Sequence, residues 1–502
     1  MTIFGQKPKN KPSPKEPKTL DLSENNSHLP ASFDRIIETI STLMTSDDLK
    51  AIHFESEKLA YFYIETIVDL KRMHEDVVSK LVQIAETPAK WKLLLGGGVL
   101  REQIGDILTD LLTGSVIIAH HSFGGQVISI PQTAIITRAV EQPTIEKVLL
   151  GAKESYVENL DMNISLLRRW VKDANLTINY FTVGERSRTK VALVYFRDVV
   201  NPEWVEEITK NIKKINISRI IGHKDLMELI IGRNQTVFPL YELTELPIRT
   251  AFFVNEGRIA ILLEGSPFAA LLPTIVLNMF QGSEYLFQGS IISSFVRCIR
   301  MLATFLTLYA PALYVALLSV DTGIIPTELG VTIASDRAGI PYSVLVEAIL
   351  LFLILDIFLE ATSFVPGVIG PALNIVGSLI IGQAAAQAHL ASQVAIIAAA
   401  VTAVGTFLTM YQLSYALRIW KYPMIISASL LGVYGIVCCT ILMTAHLAGL
   451  KSLGTPFLTP IAPFIPKDLA NGLLLHDISD QKQRLQNKKV RDKSMQAGEP
   501  DS

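Results

Sequence analysis

The 502-residue chain is 49% hydrophobic, 18% charged and carries a formal net charge of −2. That balance excludes a nucleic-acid partner, which needs a basic face able to displace counterions, and a mean hydropathy of +0.36 excludes an ordinary soluble enzyme. Only five formal charges (Glu347, Asp356, Glu360, Arg418, Lys421) fall between residues 343 and 449, whereas the first 265 residues are richly charged, so the chain divides into a soluble part followed by a membrane part.

Residues 1–31 open with "MTIFGQKPKNKPSPKEPK", five lysines and four prolines without the apolar run of a signal peptide, and read as a disordered basic arm. Residues 32–150 alternate short apolar blocks such as "LAYFYIETIV" and are expected to form a first cytosolic α/β lobe ending near Pro143. Within it, "GSVIIAHHSFGGQVISIP" (Gly114 to Pro131) reads as strand, tight turn, strand, with His120 and His121 as exposed turn residues rather than metal ligands. "GGGVLRE" from Gly96 lacks the Lys-Ser/Thr of a phosphate loop, so nucleotide binding is not indicated.

Residues 151–283 are expected to hold a helical connector, broken or capped around Gly151, and a second α/β lobe containing "KVALVYF" and "PEWVEEITKNIKKI". "GRIAILLEGSPFAALLP" (Gly257 to Pro273) repeats the earlier hairpin pattern, which puts residues 266–280 at the foot of this lobe; the rival reading is an interfacial or re-entrant segment.

Residues 284–450 form the expected membrane domain, with apolar runs near 299–320, 343–361, 391–412 and 424–449 long enough to cross about 30 Å of hydrocarbon. A fifth stretch, 364–388, is apolar but carries Pro366, Gly367, Gly370, Pro371, Gly377 and Gly382. Reading it as a re-entrant or broken helix keeps the crossing number even. Residues 451–502 are a basic tail whose "DQKQRLQNKKVRDK" carries six Lys and Arg, placing it on the cytoplasmic side with the N-terminal half. The three cysteines, Cys298, Cys438 and Cys439, show no disulfide or zinc spacing and read as small apolar residues.

The stretch "EAILLFLILDIFLEA" puts Glu347, Asp356 and Glu360 in one apolar helix. An acid at the bilayer centre costs about 2.5–3.5 kcal/mol on insertion scales, so such residues face protein or water and mark ion or proton paths. Nine residues at about 100° each point Glu347 and Asp356 in opposite directions. In "GPALNIVGSLIIGQAAA", Gly370, Asn374, Ser378, Gly382 and Ala386 recur every four positions, a stripe suited to close helix packing. The functional alternative has copies of the stripe lining a pore, with Asn374, Ser378 and Gln383 supplying polar atoms and Val376 or Leu379 forming an apolar gate. Gly370, Gly377 and Gly382 serve packing in either case. Arg297 and Arg300 precede the first span and fit membrane anchoring.

Five stretches in order carry a resemblance across nearly the whole chain: "RAVEQPTIEKVLLGAKESYVENLDMNISLLRRWVK", "VGERSRTKVALVYFRDVVNPEWVEEI", "GRIAILLEGSPFAALLP", "RCIRMLATFLTLYAPALYVALLSV" and "NIVGSLIIGQAAAQAHLAS". Through them the chain resembles the GerA family, the A subunits of bacterial spore germinant receptors. The resemblance implies a non-enzymatic, cofactor-free subunit of a spore inner-membrane complex, assembled as an oligomer, a pentamer, that acts as an ion channel. It implies a transporter-like B subunit that senses nutrient and a lipoprotein C subunit as partners, besides membrane lipids. It covers Asp356 and Glu360 and favours their face as the ion path. Two departures stand out: Thr244, Glu245, Leu246, Pro247 and Ile248 replace a Thr-Glu-Arg-Pro-Asp run, and Leu359 stands where an Arg is common, leaving the carboxylates without a cation on their own helix. A stand-alone transporter also accommodates intramembrane acids and a glycine-broken segment, and a membrane-anchored scaffold is the third possibility.

Overall fold

The computed structural model describes residues 28–473 apart from 31, 55–57, 85–97, 135–142, 144–145, 147–150, 233–235, 283–286 and 364–381. Two antiparallel five-stranded sheets come first and a set of long helices follows. The contacts divide into two units.

The first unit holds the first sheet, with residues Ile164–Tyr180 and Phe196–Asp198 added to it. Its strands are β1 (Leu49–Phe54), β2 (Leu59–Ile64), β3 (Val99–Arg101), β4 (Ser115–His120) and β5 (Val127–Pro131), in the order β1-β2-β4-β5-β3. Because strand side chains alternate, β2 sends Ala60, Phe62 and Ile64 to one face and Leu59, Tyr61 and Tyr63 to the other. Both faces are covered. Helices α1 (Phe33–Leu43) and α3 (Ile104–Leu112) bury Ile36, Ile40 and Leu111 against the first set. Helix α2, which runs from Leu70–Met73 through a π-helical stretch His74–Val78 into Ser79–Ile84, packs Met73, Val77 and Leu81 against the second. Helix α4 (Leu160–Trp170) contributes Arg168, whose Nε and Nη2 lie 3.0 and 2.8 Å from the Asp48 carboxylate with Ser46 and Thr66 completing the shell.

The expected hairpin Gly114 to Pro131 is present, with Ser115 paired to Pro131 and Ala119 to Val127. His120 differs from its expected exposed position: it is buried, its Nδ1 2.6 Å from the Ser122 hydroxyl, while His121 is exposed. The connector is also shorter than its pattern suggests, since within the described residues helix begins only at Leu160. Backbone groups before it are used elsewhere: Tyr156 N–H donates to the Glu245 carbonyl and Val157 N–H to the Asn163 side chain.

The second sheet follows the order β6-β7-β9-β10-β8, where β6 is Leu176–Val183, β7 Thr189–Phe196, β8 Glu242–Thr244, β9 Ile259–Leu263 and β10 Ala269–Leu272. The β9–β10 hairpin expected at Gly257 to Pro273 pairs Ile259 with Leu272, so residues 269–272 are strand and the foot of the lobe. Helix α5 (Pro202–Lys213) starts at Asn201, whose side chain accepts from Glu203 N–H, with Pro202 in the first turn. It packs Trp204, Ile208 and Ile212 on Val191, Leu193, Ile261 and Leu263, beside Leu226, Met227 and Ile230 of α6 (His223–Ile231).

His223 is buried at the first position of α6, its Nε2 3.3 Å from the Ile261 carbonyl and its Nδ1 3.0 Å from the Ser266 hydroxyl. Burial pushes its imidazole down from 6.5 to about 4, with the Ile261 carbonyl opposing the shift. The unfolded chain therefore binds the extra proton between these values. The stabilisation is complete above pH 6.5 and is lost as pH falls toward 4, a total of about 3 kcal/mol. His223→Gln keeps a hydrogen-bonding side chain that does not titrate, and melting of the full chain between pH 7 and 4 should show a shallower pH dependence in that variant. An unchanged slope would remove His223 as the cause.

The long helices belong to the second unit. They are α8 (Ser290–Ser319), α10 (Val344–Ser363), α11 (Gln393–Leu408), α12 (Tyr411–Leu431) and α13 (Val433–Gly449); α7 (Pro247–Asn255) precedes them, α9 (Thr327–Arg337) lies between α8 and α10, and α14 (Pro466–Leu473) follows. Among the described residues α8 alone passes as a membrane-crossing helix by both length and composition; α11 and α13 are apolar but have 16 and 17 residues, and α10 carries three carboxylates. Where one run over 424–449 was expected, there are two helices, because Gly432 adopts φ 62 and the chain turns there. Asp321, beyond the end of α8, accepts from Val433 N–H at 2.7 Å and caps α13.

Contacts fix the direction of each helix. At one end, the close of α8 meets the α12–α13 turn through Asp321, and the start of α10 meets the start of α11 through Glu347 and Ser392. At the other end, the α11–α12 junction, α13 and the segment after it meet the second sheet's lobe, through Met410 with Arg249, His446 with Thr236, and Phe457 with Val276. Both α10 and α11 therefore run toward the lobe; the stretch between them that was expected to be re-entrant lies, from 364 to 381, outside the described residues. Gly405 lets α11 approach α8 closely: a Cβ there would lie 2.3 Å from Thr307 Oγ1 and 2.7 Å from the Ala303 carbonyl.

Candidate functional site

Asp356 and Glu360 are four residues apart on α10, and Arg418 and Lys421 three apart on α12, so each pair shares a helix face. The two faces meet. Asp356 Oδ1 lies 2.8 Å from Lys421 Nζ and 3.3 Å from Arg418 Nε, and Oδ2 accepts from the Tyr422 hydroxyl at 2.6 Å. Arg418 also donates to the Asp356 carbonyl at 2.9 Å and to Glu360 Oε2 at 3.3 Å. Lys421 is 1% exposed, and its ammonium lies 5.5 Å from the centre of the Phe352 ring and 5.2 Å from that of Tyr422.

Two carboxylates and two cations make this cluster formally neutral, which is how charge is held among apolar helices. The cations missing from the carboxylates' own helix come from α12. Asp356 is thus engaged within the chain in this conformation rather than presented as a bare carboxylate. The cluster lies at mid-length of α12, and the residue beside it reaches the lobe: Trp420, adjacent to Lys421, packs 6.1 Å from His446 and 6.3 Å from Phe238, ring centre to ring centre.

Glu347 sits in the first turn of α10, at the end of the helices away from the lobe. Its Oε1 accepts from Ser392 N–H at 2.6 Å, its Oε2 pairs with Arg337, and Arg337 also donates to Tyr314 at 3.0 Å. With Asp336 accepting from Gln393 N–H at 2.8 Å, two carboxylates meet the positive end of α11. Glu347 and Asp356, about two and a half turns apart and on opposite faces of one helix, thus reach different partners. Arg297 is buried and donates to the Gly472 carbonyl of α14, and Arg300 is half-buried. Gly382 is buried, with Ile396 Cγ2 3.3 Å from the position of a Cβ, and Gln383 is exposed. Gly370, Asn374, Val376, Gly377, Ser378 and Leu379 lie outside the described residues.

A second ion cluster had no sequence signal. Glu242 of β8, fully buried, pairs through Oε1 with Arg249 of α7 and through Oε2 with Arg258 at 2.9 Å. Arg249 also reaches Glu146 at 3.4 Å, the Gln281 carbonyl at 2.8 Å and Met410 Sδ at 3.9 Å; Arg258 reaches Thr274 at 3.0 Å and stacks 4.4 Å from the Phe253 centroid. This network lies beside the run where two family charges are replaced by Leu246 and Ile248. Among its contacts is Met410, the residue immediately before α12.

The model of the Bacillus/Clostridium GerA spore germination protein family matches residues 30–487. Spore germination protein KA of Bacillus subtilis is 31% identical over 458 residues, covering 88% of this chain and 84% of that protein. Spore germination protein GerQA of Bacillus cereus is 30% identical over 454 residues, covering 89% and 91%. A crystal structure of the N-terminal domain of the A subunit of the Bacillus megaterium spore germinant receptor GerK3 aligns at 24% identity and a TM-score of 0.38, over 49% of this chain and 96% of that one. With a match running through both sheets and all the long helices, the chain belongs to the GerA family of spore germination proteins.

Proposed function

We propose that the chain is the ion-conducting membrane subunit of a nutrient-responsive spore germinant receptor, a homo-oligomer working with a transporter-like B subunit and a lipoprotein C subunit, and not an enzyme. The observation that carries this reading is the neutral cluster of Asp356, Glu360, Arg418 and Lys421 between two apolar helices. Such clusters mark ion paths in membrane proteins. In the conformation described the cations occupy the carboxylate, as suits a closed state, and opening consists of α12 moving its cations away from α10.

The directions of the five described long helices support a multi-pass arrangement. The basic tail makes the side of the second sheet's lobe the cytoplasmic one. Large apolar side chains on outer faces, such as Phe305 of α8 and Tyr434, Ile441 and Leu442 of α13, suit contact with lipid or a second copy.

Tyr422→Phe tests the reading. It removes the hydroxyl bond to Asp356 without changing charge, at a cost of about 1 kcal/mol. Spores carrying it should release cations at a lower nutrient concentration with the protein present at its normal level in the membrane. An unchanged threshold would detach the cluster from gating.

A further inference from the structure

The stretch 236–244, which follows α6 and ends with β8, touches α12 and α13 at several points. Thr236 Oγ1 lies 3.0 Å from His446 Nε2, and the Phe238 ring packs among Trp420, His446 and Phe457 at 6.2 to 6.4 Å between centres. The Leu240 carbonyl accepts from the Ser452 hydroxyl at 2.7 Å. Leu243 N–H donates to Gln412 Oε1 at 3.2 Å, in the first turn of α12. One residue before Leu243, Glu242 anchors Arg249 and Arg258, and Arg249 reaches Met410 at the N-terminus of the same helix.

We propose that the stretch 236–244 is a strap that couples the buried Glu242 network of the second sheet to the Asp356 cluster through α12, with Gln412 and Trp420 as its points of attachment. A helix is stiff along its axis. Gln412, Trp420 and Lys421 lie within nine residues of one another on α12, about 14 Å of rise, so a shift of β8 carries the cations that hold Asp356. The physical requirement for coupling is an element whose position both sites bias, and α12 is held at its start by the lobe and at Arg418, Lys421 and Tyr422 by α10. This assignment rests on the cluster being the gate, but the coupling itself is a property of the folded chain, and coupling is reciprocal. A disturbance at Asp356 must therefore be felt at β8.

Hydrogen exchange on the full chain in lipid nanodiscs reads this without any ion flux. Tyr422→Phe, and Asp356→Asn as the stronger variant, should speed exchange in β8 and in α7 by about fivefold or more, besides the local change around Lys421. In a Gln412→Met/Phe238→Leu background, which loosens both attachments, that response of β8 and α7 to Tyr422→Phe should be lost, whereas a strap with a purely structural role leaves it intact. Unchanged exchange in β8 and α7 with both Tyr422→Phe and Asp356→Asn, or a response that persists in Gln412→Met/Phe238→Leu, overturns the proposal; so does unchanged exchange around Lys421 in both. Failure of ion conduction in separate experiments leaves the coupling standing and removes only the gating reading.

Discussion

Lys421→Met is expected to deplete the folded protein in the membrane more than any other single change on the long helices. The ammonium is buried and 2.8 Å from Asp356, so removing it leaves the carboxylate in an apolar site with one guanidinium and one phenol. Breaking a buried pair from one side costs about 3–5 kcal/mol, most of it the desolvation of the group left behind. Methionine fills nearly the same volume, so little of the loss is cavity. The double variant Asp356→Asn/Lys421→Met removes both charges and should recover most of the lost protein, since an uncharged pair of similar shape leaves nothing ionised to desolvate. Protein quantified in isolated membranes, with melting of the detergent-solubilised chain, checks both; a double variant no better than the single would contradict the pairing.

Glu242→Gln should be as severe for the second sheet. Glu242 is the carboxylate shared by Arg249 and Arg258, both about 1% exposed or less, and the amide removes the anion that lies between the two cations. A loss of about 3–5 kcal/mol is expected by the same reasoning. Arg258→Met is the comparison, because it leaves Glu242 paired with Arg249 and removes one cation in place of the shared anion. It should cost clearly less. Exchange or proteolysis of β8, β9 and α7 in the full chain reports the difference, and equal effects would mean that Glu242 does not hold the network together.

The two hairpins were legible because strand alternation and turn glycines are local signals: Gly124, Gly125 and Gly265 take positive φ where the pattern places the turns. Helix α12 was not. Its apolar run is interrupted by Arg418 and Lys421, and those charges are neutralised only by residues about sixty positions earlier, a pairing that hydropathy cannot register. The break at Gly432 is hidden for the opposite reason, since apolar residues continue on both sides of it. Asp356 was recognisable as an acid in an apolar helix, but its partners belong to tertiary structure. Glu242 gave no warning because a polar residue in a strand ordinarily faces solvent, and only the folded sheet shows it enclosed by two arginines.

The measurement that bears most directly on the account is nutrient-triggered cation release from spores carrying the Asp356→Asn/Lys421→Met double variant, with the amount of protein in the spore membrane measured in parallel. That variant preserves packing at the cluster while removing the carboxylate that is proposed to govern the ion path. The account predicts protein near the native level and strongly reduced or unregulated release. Native release at the native nutrient threshold, with the double variant present in normal amount, would contradict it and leave the cluster as a device for helix packing alone.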